Sequence, residues 1–303
     1  MKSQEENINT KAKPFVKWVG GKRQLLPIIT QKLPLQIKRY IEPFIGGGAL
    51  YWEIERAESY IINDYNSELI NVYEMVQKNH KKLIKQLSKL QKQFYDLGSN
   101  EEQEQLYYQI RAQDQLIDFK TRYSNIERAA RFIFLNKTSF NGLYRVNRAG
   151  YMNTPFGHPT KTGSHPIICD TQTIIACNQK LSQTTIVMGD YQALIPAATE
   201  GDFWFLDPPY LPLLEEPVGE GTRKDFSAYT AGGFTHEQHK QLARDLHTIN
   251  DAGAKFILTN HNAPSAHKLY KDFNIEVVSA RRAVSAKTSS RAAVANEIIV
   301  SNF

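Results

Sequence analysis

The chain has 303 residues, 41% of them hydrophobic, and a formal net charge of +6. That length can bury a full core in one large domain or a domain with a substantial insertion, and the basic balance favours an anionic partner. Its two cysteines, Cys169 and Cys177, lack metal-binding spacing, which argues against a disulfide framework or a zinc site and fits a reducing compartment. Met1 to Lys11 is polar and charged, so no signal peptide is expected. No apolar run reaches the roughly 18 residues of a membrane span. The expectation is a soluble cytoplasmic protein.

Residues 1–12 read as a disordered leader. Lys13 to Lys22 makes a loop, and a helix is expected from there through Ile29. A strand over Arg39 to Phe44 runs into Gly46-Gly47-Gly48, followed by a helix through Glu55 and a second strand, Tyr60 to Ile62, ending at Asn63-Asp64. Strand, glycine loop, helix, strand and acid open a nucleotide-binding α/β sheet. From Ser67 to Arg131 the pattern is helical, with Leu83, Ile84, Leu87, Leu90 and Phe94 on one face. The other face carries six lysines between Lys78 and Lys92 and no acid, which suits a solvated surface or a wall near phosphates. Residues 136–166 are rich in Asn, Gly, Thr and Pro with interleaved aromatics and arginines. Strand signals return at Thr185–Met188, Phe203–Leu206, Phe256–Leu258 and Ile275–Val278, and Glu297 to Val300 reads as an edge strand. The whole predicts an α/β sheet built from residues 13–66 and 168–303, interrupted by a helical, loop-rich insertion over 67–167.

Asp207-Pro208-Pro209-Tyr210 follows the apolar run Phe203 to Leu206, at the carboxyl end of a buried strand, where open α/β sheets bind ligands. The residue types suit an amine whose lone pair is delocalised into a ring. The Asp207 carboxylate and the Pro208 carbonyl can accept its two hydrogens, drawing the nitrogen toward tetrahedral geometry. The prolines stiffen the turn, and Tyr210 can stack on an extruded base. A strand ending in a Pro-rich turn is the plainer alternative. The same tetrapeptide would serve an RNA base or a protein amide, or survive in a non-catalytic DNA-binding chain.

Gly46 and Gly48 let backbone approach a ligand closely, but Tyr51 stands where the third glycine of a dinucleotide fingerprint would fall. A cofactor without a pyrophosphate is therefore expected. Asp64, at the next strand end, is placed for ribose hydroxyls, with a helix cap as the alternative. Gly20-Gly21-Lys22-Arg23 fails as a phosphate loop, leaving Lys22 as a cation near a carboxylate and Trp18 as an aromatic neighbour for a sulfonium or a base. Asp190 suits either an amine of the cofactor or a surface turn.

Together these elements resemble the Dam/DpnII-type family of DNA adenine-N6 methyltransferases over nearly the whole chain from Lys13. The resemblance rests on Lys17–Lys22, Glu42–Gly48, Asn63-Asp64, Leu135–Asn147, Asn153–Gly157 and Asp207–Tyr210, extended by Phe226–Thr230 and by Arg281-Arg282 through Arg291. It implies a Rossmann-like S-adenosylmethionine-dependent methyltransferase sheet with an inserted DNA-recognition domain. It also implies catalysis by Asp207, Pro208, Pro209 and Tyr210, and S-adenosylmethionine contacts at Trp18, Lys22, Asp64 and Asp207, with Phe44 and the glycine loop shaping the pocket. The implied substrate is GATC in double-stranded DNA, methylated on adenine by base flipping and direct transfer, with no metal. Arg145 would read a guanine, Lys17 the outer base pair, and Leu143 and Pro155 a thymine methyl, while Phe140-Asn141 wedges into the duplex. A monomer suffices for this, and a cognate restriction endonuclease is left open as a genetic partner. Gly157 is followed by His158-Pro159 where the family carries a basic residue and a Tyr. Leu211 to Arg223 is expected to be a mobile loop that orders over substrate.

Overall fold

The structure, a computed structural model, describes residues 10–18, 20, 22, 24–158, 165–211, 234–281 and 294–303. Most of the expected leader, Pro159, the loop beyond Leu211, Phe226–Thr230 and Arg282 through Arg291 lie outside the described residues. In chain order the elements are α1 (Leu26–Lys32), β1 (Ile37–Glu42), β2 (Ala57–Asp64), α2 (Ser67–Tyr95), α3 (Asn100–Ala112), α4 (Phe119–Arg122), α5 (Asn125–Thr138), α6 (Thr171–Leu181), β3 (Thr184–Met188), β4 (Asp202–Leu206), α7 (His236–Asp251), β5 (Lys255–His261), α8 (Pro264–Leu269), β6 (Asn274–Arg281) and β7 (Val294–Ser301). Short 3₁₀ turns cover Gln113–Gln115, Phe140–Gly142 and Tyr191–Ala197. No helix among the described residues is long and apolar enough to cross a membrane. The chain divides into two compact units: residues 1–18, 67–144 and 151–186, and residues 19–66, 145–150 and 187–303.

The strands form one mixed sheet in the order β3-β2-β1-β4-β5-β7-β6. β1 pairs in parallel with β2 on one side and β4 on the other, so chain order reverses direction across the sheet at the β1–β4 pair. β4 is buried along its whole length, as a central parallel strand covered on both faces must be. Arg39 of β1 ties the two together through a two-pronged contact with Asp202, its Nε at 2.7 Å from Oδ1.

Two expectations fail in this unit. Glu297–Val300 is no edge, because β7 lies between β5 and β6, antiparallel to both. Ile298, Ile299 and Val300 are all buried, and three consecutive buried apolar residues mark a strand covered on both faces. The helix expected after the glycine loop is a chain of turns. Gly46 and Gly48 take positive φ, and Trp52 N–H closes back on Gly48 O at 3.1 Å while its indole donates to Gly47 O. Burial of Tyr51 and Trp52 in the core fixes that compact path. α1 also starts later than expected, at Leu26, with Pro27 in its first turn where a missing N–H costs nothing.

The other unit is helical. α3 and α5 each begin with a capping box, Ser99 with Glu102 and Ser124 with Glu127, so their starts are written locally. In α2, Leu83, Leu87 and Phe94 are buried, Ile84 and Leu90 only partly, and all six lysines from Lys78 to Lys92 are exposed. Lys78 and Lys92 pair with Glu74 and Asp96 along the helix. Asn136 lies in the last turn of α5, after which the chain turns through Phe140–Gly142. The Asn136 side chain, fully buried, accepts from Lys17 N–H at 2.8 Å and donates to Lys17 O at 2.8 Å and Gly142 O at 3.1 Å. Asn136→Ala takes the partner from three backbone groups, one buried and two part-buried, each loss being worth about 1 kcal/mol. The expected outcome is a destabilisation of roughly 3 kcal/mol in denaturant titration; a change below about 0.5 kcal/mol would contradict this role.

Candidate active site

Two loops of the sheet unit leave the carboxyl ends of β1 and β4, where a ligand can sit beside the reversal of strand order. The first is the glycine loop. Gly46, at φ +46°, donates its N–H to Asp64 Oδ2 at 3.0 Å, and Asp64 Oδ1 accepts from Asn66 N–H at 2.9 Å. Asp64 therefore steadies both the loop and the approach to α2. Burial raises its pKa, opposed by the N–H groups of Asn66, Gly46 and Tyr65. Asn63, beside it and buried, donates to Pro43 O at 2.9 Å and Gly189 O at 3.0 Å, joining three loops at the sheet's end. Phe44 is half-buried and packs its ring on Tyr191 at 5.1 Å and Phe234 at 5.8 Å. Asp190 is exposed and its Oδ1 accepts from Gln192 N–H, the local turn contact expected of a surface acid.

The second loop is Asp207–Tyr210. Lys22 is only 4% exposed, and its Nζ lies 2.9 Å from Asp207 Oδ1. Thr259 of β5 donates to the same oxygen at 2.8 Å. Asp207 Oδ2 has no hydrogen bond among the described residues. Burial pushes the Asp207 carboxyl up and Lys22 pulls it back. Lys22 Nζ also stands 4.3 Å from the centroid of the Tyr210 ring, and the His261 ring meets that ring edge-on at 4.3 Å. The Tyr210 hydroxyl donates to Glu297 Oε2 at 2.6 Å, and burial first, with the nearby carboxylates, holds it protonated well above its ordinary range. Leu211 N–H and His261 N–H share Asn260 Oδ1, which fixes where the loop leaves the site. The sheet unit thus brings together Lys22, Asp207 and Tyr210.

The remaining expected contacts lie elsewhere. Trp18, in the helical unit, stacks on Tyr144 at 5.5 Å and Phe132 at 6.4 Å. Phe140 is 47% exposed, which rules out an ordinary core aromatic. It sits on a turn whose next residue, Asn141, has φ +56°. Lys17, Asn141 and Pro155 are exposed and Leu143 is half-buried. Arg145 is exposed and belongs with residues 145–150 of the sheet unit. His158 lies 3.8 Å from Glu104.

Glu297, Thr259 and His239 were not singled out from the sequence. Each sits in a segment that reads as ordinary strand or amphipathic helix, and only tertiary pairing places it here. His239 of α7 is fully buried, meets Phe234 edge-on, and faces the Pro209 carbonyl.

A carboxylate with one oxygen held by Lys22 and Thr259 thus stands, with the glycine loop, at the sheet's reversal point, where open α/β sheets bind ligands. Residues 18–284 match the family described as D12 class N6 adenine-specific DNA methyltransferase, and the chain belongs to that family. It is 38% identical over 304 residues to type II methyltransferase M1.LlaDCHI of Lactococcus lactis subsp. cremoris, covering 99% of this chain and 98% of that one. Similarity to type II methyltransferase M.MjaIII of Methanocaldococcus jannaschii is 35% over 300 residues, 96% of this chain and 99% of the other. DNA adenine methylase of Vibrio cholerae is 28% identical over 282 residues, 93% of each chain. The protein is an adenine-specific DNA methyltransferase, and its seven-stranded mixed sheet is consistent with the S-adenosylmethionine-dependent methyltransferase fold. Family membership implies S-adenosylmethionine as methyl donor and double-stranded DNA as substrate.

Burial lowers His239 from the ordinary 6.5 to about 4. The unfolded chain therefore takes up a proton between those values that the folded chain refuses. Stability is full above about pH 6.5 and falls as pH drops toward 4. Between pH 7 and pH 5 the wild type should lose roughly 2 kcal/mol more than His239→Gln. Parallel loss in the two proteins, followed by denaturant titration, would show that His239 is not the titrating group.

Proposed function

We propose that this enzyme methylates N6 of the adenine in GATC, in duplex DNA, on a base turned out of the helix and with S-adenosylmethionine as donor. The observation that carries the reading is the one-sided hold on Asp207. Lys22 and Thr259 both engage Oδ1, so Oδ2 is the oxygen presented to an incoming amine. Asp207 Oδ2 and the Pro208 carbonyl accept the two N6 hydrogens, which localises the nitrogen lone pair. Tyr210 supplies the surface on which the purine stacks.

The residues present fit the donor. Asp64 offers a half-buried carboxylate for ribose hydroxyls, and Gly46 and Gly48 bring no side chain to the loop beside it. To Phe44, which packs on Tyr191, and to Trp18, Asp190, Lys22 and Asp207 we assign the remaining contacts with the donor. When bound, S-adenosylmethionine supplies a methyl group on a sulfonium and leaves as a neutral thioether. No protein nucleophile is needed, in keeping with a Cys177 thiol that burial pushes up to about 12.

A stacked adenine cannot present N6 to such a loop, so the base must leave the duplex. Phe140, held out on its turn with Asn141, suits a wedge that fills the vacated space. Arg145 suits a guanine edge, Lys17 the outer pair, and Leu143 and Pro155 a thymine methyl. The GATC assignment rests on the resemblance of Leu135–Asn147. Labelled methyl groups should enter GATC-containing duplex and spare a GATC-free control; equal labelling would remove the target assignment. Asp207→Ala should cut transfer by at least about 10²–10³-fold while DNA binding persists, and full transfer by that variant would overturn the role of Asp207.

A further inference from the structure

Glu297 brings a carboxylate from the last strand into the cluster around Asp207. Its Oε2 accepts the Tyr210 hydroxyl at 2.6 Å and lies 3.9 Å from Lys22 Nζ. One oxygen therefore addresses both the phenol and the ammonium. The hydroxyl tether fixes where the tip of the Tyr210 ring sits, and Lys22 stands over the ring, 4.3 Å from its centroid. The His261 ring meets the same ring edge-on at 4.3 Å. The charges also do not balance: Lys22 brings one positive charge, while Asp207 and Glu297 bring two negative ones. With both acids ionised, the three groups carry one surplus negative charge in a site that is largely out of water.

We infer that Glu297 is a positioning residue that fixes the Tyr210 ring and supplies the surplus negative charge, so that the site holds a cationic sulfonium donor in preference to its uncharged thioether product. The inference rests on S-adenosylmethionine being the donor. Coulomb attraction in a partly desolvated site is strong enough for one charge to shift affinity by an order of magnitude. The hydrogen bond and the charge are separable by substitution: Glu297→Gln keeps an acceptor and loses the charge, whereas Tyr210→Phe keeps the charge and loses the tether.

The test is calorimetric binding of S-adenosylmethionine and S-adenosylhomocysteine to the full chain at pH 8, well above the range in which an unperturbed imidazole titrates. Glu297→Gln should weaken S-adenosylmethionine by about tenfold and S-adenosylhomocysteine by less than about twofold. Tyr210→Phe should keep the wild-type ratio of the two affinities, yet lower kcat by about tenfold with little change in KM for DNA. Glu297→Asp, which retains charge but shortens the reach, should restore the ratio and not kcat. It also gives a reading if the Gln variant folds poorly. An unchanged ratio in a Glu297→Gln protein that melts like the wild type overturns the inference alone. Failure of the wild type to bind either compound overturns the donor reading along with it.

Discussion

Lys22 carries a full charge in a position where almost no water reaches it, and such a charge persists in a fold only against a carboxylate. Asp207 is that carboxylate. Its own burial raises the cost of ionisation and the ammonium lowers it again, so each group makes the other possible. Removing Asp207 would leave Lys22 only the more distant Glu297, and removing Lys22 would leave Asp207 only the Thr259 hydroxyl. The pair therefore does two things with one contact. It joins a loop near the start of the chain to the loop after β4, and it fixes which carboxylate oxygen remains for a substrate.

Sheet topology makes this meeting possible. Strand order reverses at the β1–β4 pair, so the connections leaving those two strands diverge and open a crevice between them. The glycine loop enters it from β1, and Asp207 from β4. β2 ends alongside, with Asp64 holding Gly46, and Asn63 ties in Pro43 and Gly189. β5 adds Thr259 and β7 adds Glu297, the second through a strand that runs antiparallel to its neighbours. Strands β1, β2, β4, β5 and β7 thus supply groups at or near this end of the sheet, which explains how residues so scattered in sequence come together.

How far this was legible in the sequence depends on whether a residue's role is local. Strands with apolar runs, such as Phe203 to Leu206, lie where the pattern placed them, because burial on both faces demands such runs. Lys22 beside a carboxylate and the loop of Asp207–Tyr210 were legible from side-chain chemistry. The turns after Gly48 were not: the spacing there suits a helix, and the buried Tyr51 and Trp52 hold the backbone elsewhere. Glu297 was read only as the first residue of a terminal edge strand. Its partners, Tyr210 and Lys22, are 87 and 275 positions away along the chain, and no local pattern encodes such a pairing.

The segment from Leu135 to Asn147 divides its residues between building and display. Asn136, Thr138 and Ser139 are buried and spend their side chains on backbone groups, Thr138 on Phe134 O and Ser139 on Leu143 O. Gly142 takes φ +67°, and a Cβ there would fall 2.3 Å from Lys17 Cδ. At Gly157 a Cβ would fall 2.7 Å from Ser139 O, so the neighbouring strand-like stretch packs against the turn without slack. Phe140, Asn141 and Arg145 are exposed, as is Lys17 beside the turn. A large aromatic kept in water has no folding reason to stand there, and a turn braced from several sides holds it in one orientation. Rigid presentation lowers the ordering cost of binding, so a tightly built turn with exposed Phe140 and Asn141 suits the wedge role proposed for them.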